Sequence, residues 1–219
     1  MKIIFPSHEI LYLPDGEDVL KRIELAGRTC YKSENRITKA SAADFVKRII
    51  DSGHHSVIEH VNITVRFICD RGVTHELVRH RLASYSQEST RYANYSKEKF
   101  GREITVIKPL FWKEDSEEYP EWLSAMEQAE KSYMRLIDLD ASPEQARSVL
   151  PNSLKTEIVI TCNIRKWRHI FRLRCSSSAH PQMREIMLPL LREFHDKIPV
   201  LFEDIYSQYR QEISAFNNL

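Results

Sequence analysis

Five glycines in 219 residues, at positions 16, 27, 53, 72 and 101, constrain this chain more than any other feature. No two stand close enough to form G-x-G-x-x-G or a P-loop, which excludes the commonest nucleotide-binding folds. A chain without a glycine cradle that still binds phosphates must use side chains and helix ends. Arg79-His80-Arg81, then Leu-Ala-Ser-Tyr-Ser-Gln-Glu, then Ser89-Thr90-Arg91, offers such side chains: three guanidiniums, an imidazole and several hydroxyls within thirteen residues. Ionised groups are rarely buried unless paired, and neighbouring guanidiniums repel unless an anion lies between them. A guanidinium fork meets phosphate oxygens two at a time. The cluster therefore points to a nucleotide phosphate or pyrophosphate, against the plainer reading of a solvated helix end.

The length suits one well-cored domain or two small ones. With 42% hydrophobic and 29% charged residues the chain is ordinary globular material. Lys and Arg (32) nearly balance Asp and Glu (31), so no general nucleic-acid coat protein is expected, since its surface would be basic throughout. The start, MKIIFPSHEIL, carries no signal-peptide pattern. No apolar run reaches the ~18 residues of a membrane helix, so a cytoplasmic protein with no membrane partner is expected. Cys30, Cys69, Cys162 and Cys175 are scattered without a C-x-x-C pair and read as reduced thiols. His54-His55-Ser56-Val57-Ile58-Glu59-His60 lacks the spacing of a zinc helix, and no metal is expected there.

Periodicity gives an edge strand at 2–5 and helices at 18–28 and 41–50, the second capped by Thr38 or Ser41 and stopped by Gly53. Val61, Ile63, Val65, Phe67 and Cys69 alternate with polar residues, a half-buried strand. Helical spacing over 71–80 places Arg79-His80-Arg81 at a helix C-terminus, where the dipole favours cations. A serine-rich loop follows, then a strand at 104–107, a helix at 121–139, a Ser142-Pro143 helix start and a strand at 155–162. The remainder reads as helices at 164–175, 183–197 and 200–213. Without repeats, linkers or low-complexity tracts, the expectation is one α+β domain over residues 1–219.

A wheel over the segment from Asn163 puts Trp167, Ile170 and Phe171 on one face and Arg165, Arg168, His169 and Arg172 on the other. Arg174 shares the apolar face. Either its stem packs while its head snorkels, or its charge is held at the rim of an apolar pocket, where it is poorly screened. The basic face is by default solvated, or lines a phosphate site or a subunit contact. With Tyr85, Tyr92, Tyr95 and Trp167 nearby, a non-catalytic RNA- or nucleotide-binding protein is the alternative reading.

The pattern R-H-R, seven residues, then Ser with Arg close behind resembles the signature of the flavin-dependent thymidylate synthases. Gly53-His54 with Glu59-His60, Ala146-Arg147 through Leu150-Pro151, and Asn163-x-Arg165 with Arg168-His169 and Leu173-Arg174 resemble further blocks of that family, in family order. The resemblance implies an α+β fold with a small antiparallel sheet packed by long helices, and a homotetramer with active sites where subunits meet. It also implies a reaction in which dUMP and methylenetetrahydrofolate give dTMP and tetrahydrofolate, with NADPH reducing a bound FAD. By the same resemblance Ser56, Glu59, Arg79, His80, Arg81, Asn163, Arg165 and His169 contact FAD. Glu76, Gln87, Glu88, Ser89, Thr90, Arg91 and Arg147 surround dUMP. Relatives often carry an acid two residues before the signature serine; Gln87 stands there, with Glu88 next. Arg174 is assigned to the substrate as the activating cation, favouring the N3-deprotonated uracil. No enzyme nucleophile is expected, and Cys175, beside Arg174, is the thiol that would contradict this.

Overall fold

In the computed structural model, which describes residues 1–216, the chain runs β1 (Lys2–Ile4), β2 (Ser7–Tyr12), α1 (Gly16–Tyr31), α2 (Ser41–Asp51), β3 (Asn62–Asp70), α3 (Arg71–Leu77) and β4 (Ser84–Gln87). It continues with β5 (Thr105–Ile107), α4 (Glu118–Asp138), α5 (Pro143–Ala146), β6 (Lys155–Asn163), α6 (Ile164–Arg174), α7 (Pro181–Lys197), α8 (Pro199–Tyr206) and α9 (Arg210–Phe216). Two strands were not legible as such. β2 is half polar, running from Ser7-His8-Glu9 into Ile10-Leu11-Tyr12, and the serine-rich β4 is short and polar but for Tyr85; pairing makes them strands.

β1 and β5 form a parallel pair, with Lys2 opposite Thr105 and Ile4 opposite Ile107. The other four strands form a sheet in the order β2-β3-β6-β4. Along β3 and β6 the partners run in opposite directions: Ile164 N donates to Val61 O (3.0 Å), the Thr64 and Thr161 hydroxyls meet at 2.9 Å, and Arg71 N donates to Asn152 O (2.9 Å). Ile63, Val65, Phe67 and Cys69 of β3 are buried, as are Thr156, Ile158, Ile160 and Cys162 of β6. The alternation read from the sequence over 61–69 is that of β3 in the sheet, and β6 alternates likewise.

The chain divides into two compact units, neither of them continuous. The first comprises residues 1–8, 66–79 and 85–159. Its core gathers Ile104, Val106, Trp122, Met126, Tyr133 and Leu154, and Tyr133 is fully buried. α5 starts as expected: Ser142 and Gln145 form a capping box, with proline in the first turn.

The second unit comprises residues 9–65, 80–84 and 160–219. Trp167 and Phe171 of α6, Phe194 of α7 and Phe202 of α8 form one aromatic cluster with ring centroids 5.2–5.9 Å apart. Each such pair contributes about 1 kcal/mol beyond the area it buries. α1 lies close on α2 because residue 27 is glycine: a Cβ there would fall 2.6 Å from the Phe45 ring. Across the same helices Arg28 pairs with the buried Glu24 (2.8 Å), whose other oxygen accepts from Ser41 Oγ (2.9 Å). That engagement leaves α2 without a side-chain cap; its N-cap is Ala40. Gly53, at φ 72°, ends the turn after α2 in the left-handed region expected of it.

Candidate active site

Asp70 caps α3, its Oδ1 accepting from Val73 N at 2.8 Å, and the helix ends at Leu77. Arg79, His80 and Arg81 therefore lie in the turn beyond the helix rather than on it. Arg79 and Arg81 are exposed and have no acidic partner among the described residues. His80 is only 5% exposed. Its Nε2 accepts from Arg174 Nε at 2.9 Å, and the His169 ring meets it edge-on at 5.9 Å. Burial, followed by the nearby charges of Arg174, His169 and Lys166, lowers the His80 pKa to about 4. The imidazole is neutral at physiological pH.

Within the same unit as His80, Ser56 and Glu59 lie on the 3₁₀ turn His55–His60. Glu59 Oε1 pairs with Arg165 Nη1 at 2.6 Å. Asn163 caps α6, its Oδ1 accepting from Lys166 N at 2.8 Å. Ser56, Glu59, Arg165 and His169 are all exposed. Arg174 is half-buried on the apolar face of α6, as the wheel places it.

The residues assigned to the nucleotide, Arg174 apart, lie in the other unit. Gln87, Glu88 and Ser89 line one cavity of about 550 Å³ with Tyr92, Lys99 and Lys155. Gln87 Nε2 donates to Thr74 Oγ1 (3.0 Å) and Thr156 Oγ1 (3.3 Å), which aims its amide into the fold. Glu88 accepts from Lys155 Nζ (3.1 Å) and Tyr95 Oη (3.3 Å), and Lys155 also holds Glu157 at 2.6 Å. Burial opposes the Lys155 charge, yet Glu157 and Glu88 outweigh it and raise its pKa. Thr90 is buried and accepts from Arg147 Nη1 at 3.5 Å. Arg91 is exposed and pairs with Glu144 at 3.3 Å, and Glu76 is half-buried on α3. Arg66, Lys99 and Lys155 are the cavity cations that sequence reasoning missed. The clue was the charged alternate face of β6, which in one dimension is indistinguishable from a solvated face.

The arginines of the basic face of α6 are engaged with two carboxylates, Glu59 and Asp204. Arg168, expected at the surface, is 1% exposed. It makes a bidentate pair with Asp204 of α8 (2.8 and 2.7 Å) and also donates to Leu201 O. Arg172 reaches the same carboxylate at 2.9 Å. Trp167 is fully buried and donates to Ile63 O at 3.1 Å, and Tyr95 is buried as well. A nucleic-acid surface built on this helix loses most of its charge and two of its four aromatics. Cys175 is buried beneath the helix end, and burial pushes its thiol pKa up, away from a reactive thiolate. His54 Nδ1 meets Tyr31 Oη at 2.9 Å, and no group of three or more metal-ligating side chains gathers among the described residues.

Comparison with known proteins follows the same lines. Residues 12–200 match the family described as thymidylate synthase complementing protein. The flavin-dependent thymidylate synthase of Geobacter sulfurreducens is 35% identical over 211 residues, covering 93% of this chain and 86% of that protein. The flavin-dependent thymidylate synthase of Pyrococcus furiosus is 36% identical over 168 residues, covering 76% and 68%. A crystal structure of a UMP/dUMP methylase, PolB from Streptomyces cacaoi bound with 5-Br dUMP, superposes with a TM-score of 0.74 at 22% identity, covering 95% of this chain and 97% of that one. At that identity the likeness is one of fold. The family match and the two relatives make the chain a member of the flavin-dependent thymidylate synthase family.

Proposed function

We propose that the chain methylates dUMP to dTMP reductively, taking the carbon from 5,10-methylenetetrahydrofolate and using FAD with NADPH, as a cytoplasmic homotetramer whose active sites form where subunits meet. The observation that carries this reading is the Arg79–Arg81 turn, with two exposed guanidiniums that no carboxylate offsets among the described residues. A salt-bridged surface would not leave them so, whereas a pyrophosphate needs that donor set. The residues fit FAD on this ground. Arg79 and Arg81 would hold its pyrophosphate, and Ser56, Glu59, His80, Asn163, Arg165 and His169 would line the rest. FAD reduced by NADPH supplies the hydride that turns the transferred methylene into a methyl group.

On the nucleotide side Ser89 donates to the phosphate of dUMP, and Glu76, Gln87, Glu88, Thr90, Arg91 and Arg147 surround the nucleotide. The Streptomyces protein, crystallised with 5-Br dUMP, supports a pyrimidine nucleotide here. The Arg174 guanidinium against the uracil edge favours the N3-deprotonated ring. Electron density at C5 rises, C5 forms its bond to the methylene carbon, and the C5 proton is then lost to a base. Tetrahydrofolate leaves as the methyl group is completed. Three of the four thiols are withdrawn from attack on the ring: Cys69, Cys162 and Cys175 are buried, and burial pushes Cys162 up to about 12, while the exposed Cys30 lies on α1. The four cysteines are free, and among the described residues no helix is long and apolar enough to cross a membrane. The chain passes between its two units five times, which supports treating residues 1–219 as one functional domain.

The test is an absorption spectrum of the purified protein after gel filtration with added FAD, followed by an assay for dTMP. A retained flavin band bleached by NADPH, with dTMP formed from dUMP and methylenetetrahydrofolate, is expected. A colourless protein that forms no dTMP overturns the reading.

A further inference from the structure

Four cations of the second unit meet around a cavity of about 450 Å³. Arg28 and Lys32 stand at the end of α1, Arg36 on the 3₁₀ turn Glu34–Arg36, and Arg48 in the last turn of α2. Among the described residues no carboxylate lines the cavity. A helix C-terminus favours a cation, which accounts for Arg28 or Arg48 taken singly. It does not account for four converging without an anion, since like charges at close range repel. The same two helices neutralise other lysines: Lys21 pairs with Glu17 (2.6 Å), and Lys47, beside Arg48, pairs with Asp51 (3.4 Å). Lys32, Arg36 and Arg48 are exposed and have no acidic partner among the described residues. Arg28 is built into the wall. Its side chain is 9% exposed, lies over the Phe45 ring, and gives Nε and Nη2 to one oxygen of Glu24. Glu24 thus offsets one of the four charges and leaves three.

We propose that this cavity receives a phosphate monoester, the 2′-phosphate of NADPH, and so sets the preference for NADPH over NADH. The proposal rests on the functional reading above. In that reading the FAD pyrophosphate takes Arg79 and Arg81, and the dUMP phosphate is held by residues of the other unit. The 2′-phosphate is the remaining dianion, and it offers three oxygens to guanidiniums arriving from different elements. The carboxylates of a folate are singly charged and spaced along a tail, a poorer match to cations gathered at one point. NADH carries a hydroxyl in place of the phosphate and leaves the cluster without its anion. The cavity is also tied to the flavin residues. Tyr31, one of its walls, meets His54 Nδ1 through its hydroxyl at 2.9 Å, at the head of the turn that carries Ser56 and Glu59.

Two measurements test this, one of them independent of turnover. In calorimetry on the flavin-loaded protein, adenosine 2′,5′-bisphosphate is expected to bind ~10-fold or more tightly than 5′-AMP. That difference should vanish in Arg36→Gln and in Arg48→Gln. Lys47→Gln, which removes a neighbouring cation outside the cavity, should keep it. In steady-state kinetics the ratio of KM for NADH to KM for NADPH should fall ~10-fold in both arginine variants. Both side chains are exposed, so melting temperatures close to wild type are expected, and unfolding does not imitate the loss. Equal binding of the two adenosine ligands, or a difference that survives both substitutions, overturns the proposal. Inorganic phosphate that raises the melting temperature of wild type but of neither variant, with equal binding of the adenosine ligands, would make this a site for free phosphate. A rise confined to the KM for polyglutamylated methylenetetrahydrofolate would give the cavity to the folate tail. Either result also overturns it. A wild-type protein that binds no flavin and forms no dTMP fails the functional reading instead, and calorimetry on that protein still decides the phosphate subsite.

Discussion

His80 shows how one buried side chain writes itself into the pH dependence of the whole molecule. Its pKa falls from 6.5 to about 4 on folding. The unfolded chain thus binds a proton that the folded one refuses, and stability rises with pH across that interval. The contribution is fully present above pH 6.5 and is lost as pH drops towards 4. Urea titrations at pH 7, 6 and 5 should therefore show wild type losing stability relative to His80→Gln as the pH falls; parallel curves would contradict the buried neutral imidazole. Lys155 carries a different load, standing between Glu88 at 3.1 Å and Glu157 at 2.6 Å. Lys155→Met leaves two carboxylates facing one another at a partly exposed site. It is expected to cost about 1–2 kcal/mol at neutral pH, less as acid protonates the pair, and to raise the KM for dUMP ~10-fold. Denaturant melts at pH 7 and 5, with steady-state kinetics, check both parts.

Between elements, close approach decides more than propensity. Gly27 is an unfavourable residue in the middle of α1, yet a methyl group there would meet Phe45 at 2.6 Å and Val57 at 3.1 Å. Arg28 lies over that ring, 4.5 Å from its centroid, which limits how far the ring can yield. Gly27→Ala gains up to about 1 kcal/mol of helix propensity but loses roughly 1–3 kcal/mol to overpacking. A net loss of about 1 kcal/mol is expected in thermal melts, and Phe45→Leu should cost less in the Gly27→Ala background than in wild type. Arg168 makes the same point about charge. The period of α6 places it on the polar face, and only α8, bringing Asp204 across, makes that face an interior. The serine-rich stretch at 84–87 is a third case. Apart from Tyr85 its residues have little strand propensity, and pairing with β6 makes a strand of them.

At the scale of the whole molecule, the assigned residues separate cleanly. Those given to dUMP other than Arg174 fall in one unit, and those given to FAD other than Arg79 fall in the other. A tetramer with shared sites predicts that assembly and cofactor retention go together. Sedimentation of the flavin-loaded protein should give four times the 25.8 kDa chain mass, and dilution below the assembly threshold should release flavin as the species shrinks. A monomer that keeps its flavin would remove the shared site.

The sequence alone determined what local chemistry can determine. Alternation marked β3, β-branched residues marked β6 and the Ser142-Pro143 start marked α5, while the scarcity of glycine pointed any phosphate recognition to side chains such as those of the Arg79–Arg81 cluster. These signals are read from residues a few positions apart, so one dimension carries them. Tertiary structure decided which charges are free. Arg165 and Arg168 have the same chemistry three residues apart, yet one ends in an exposed pair with Glu59 and the other in a buried fork with Asp204. Arg174 and His80, ninety-four residues apart, became one hydrogen-bonded unit. Burial and partners at such separations set pKa, orientation and accessibility, and they exist only once the chain has packed.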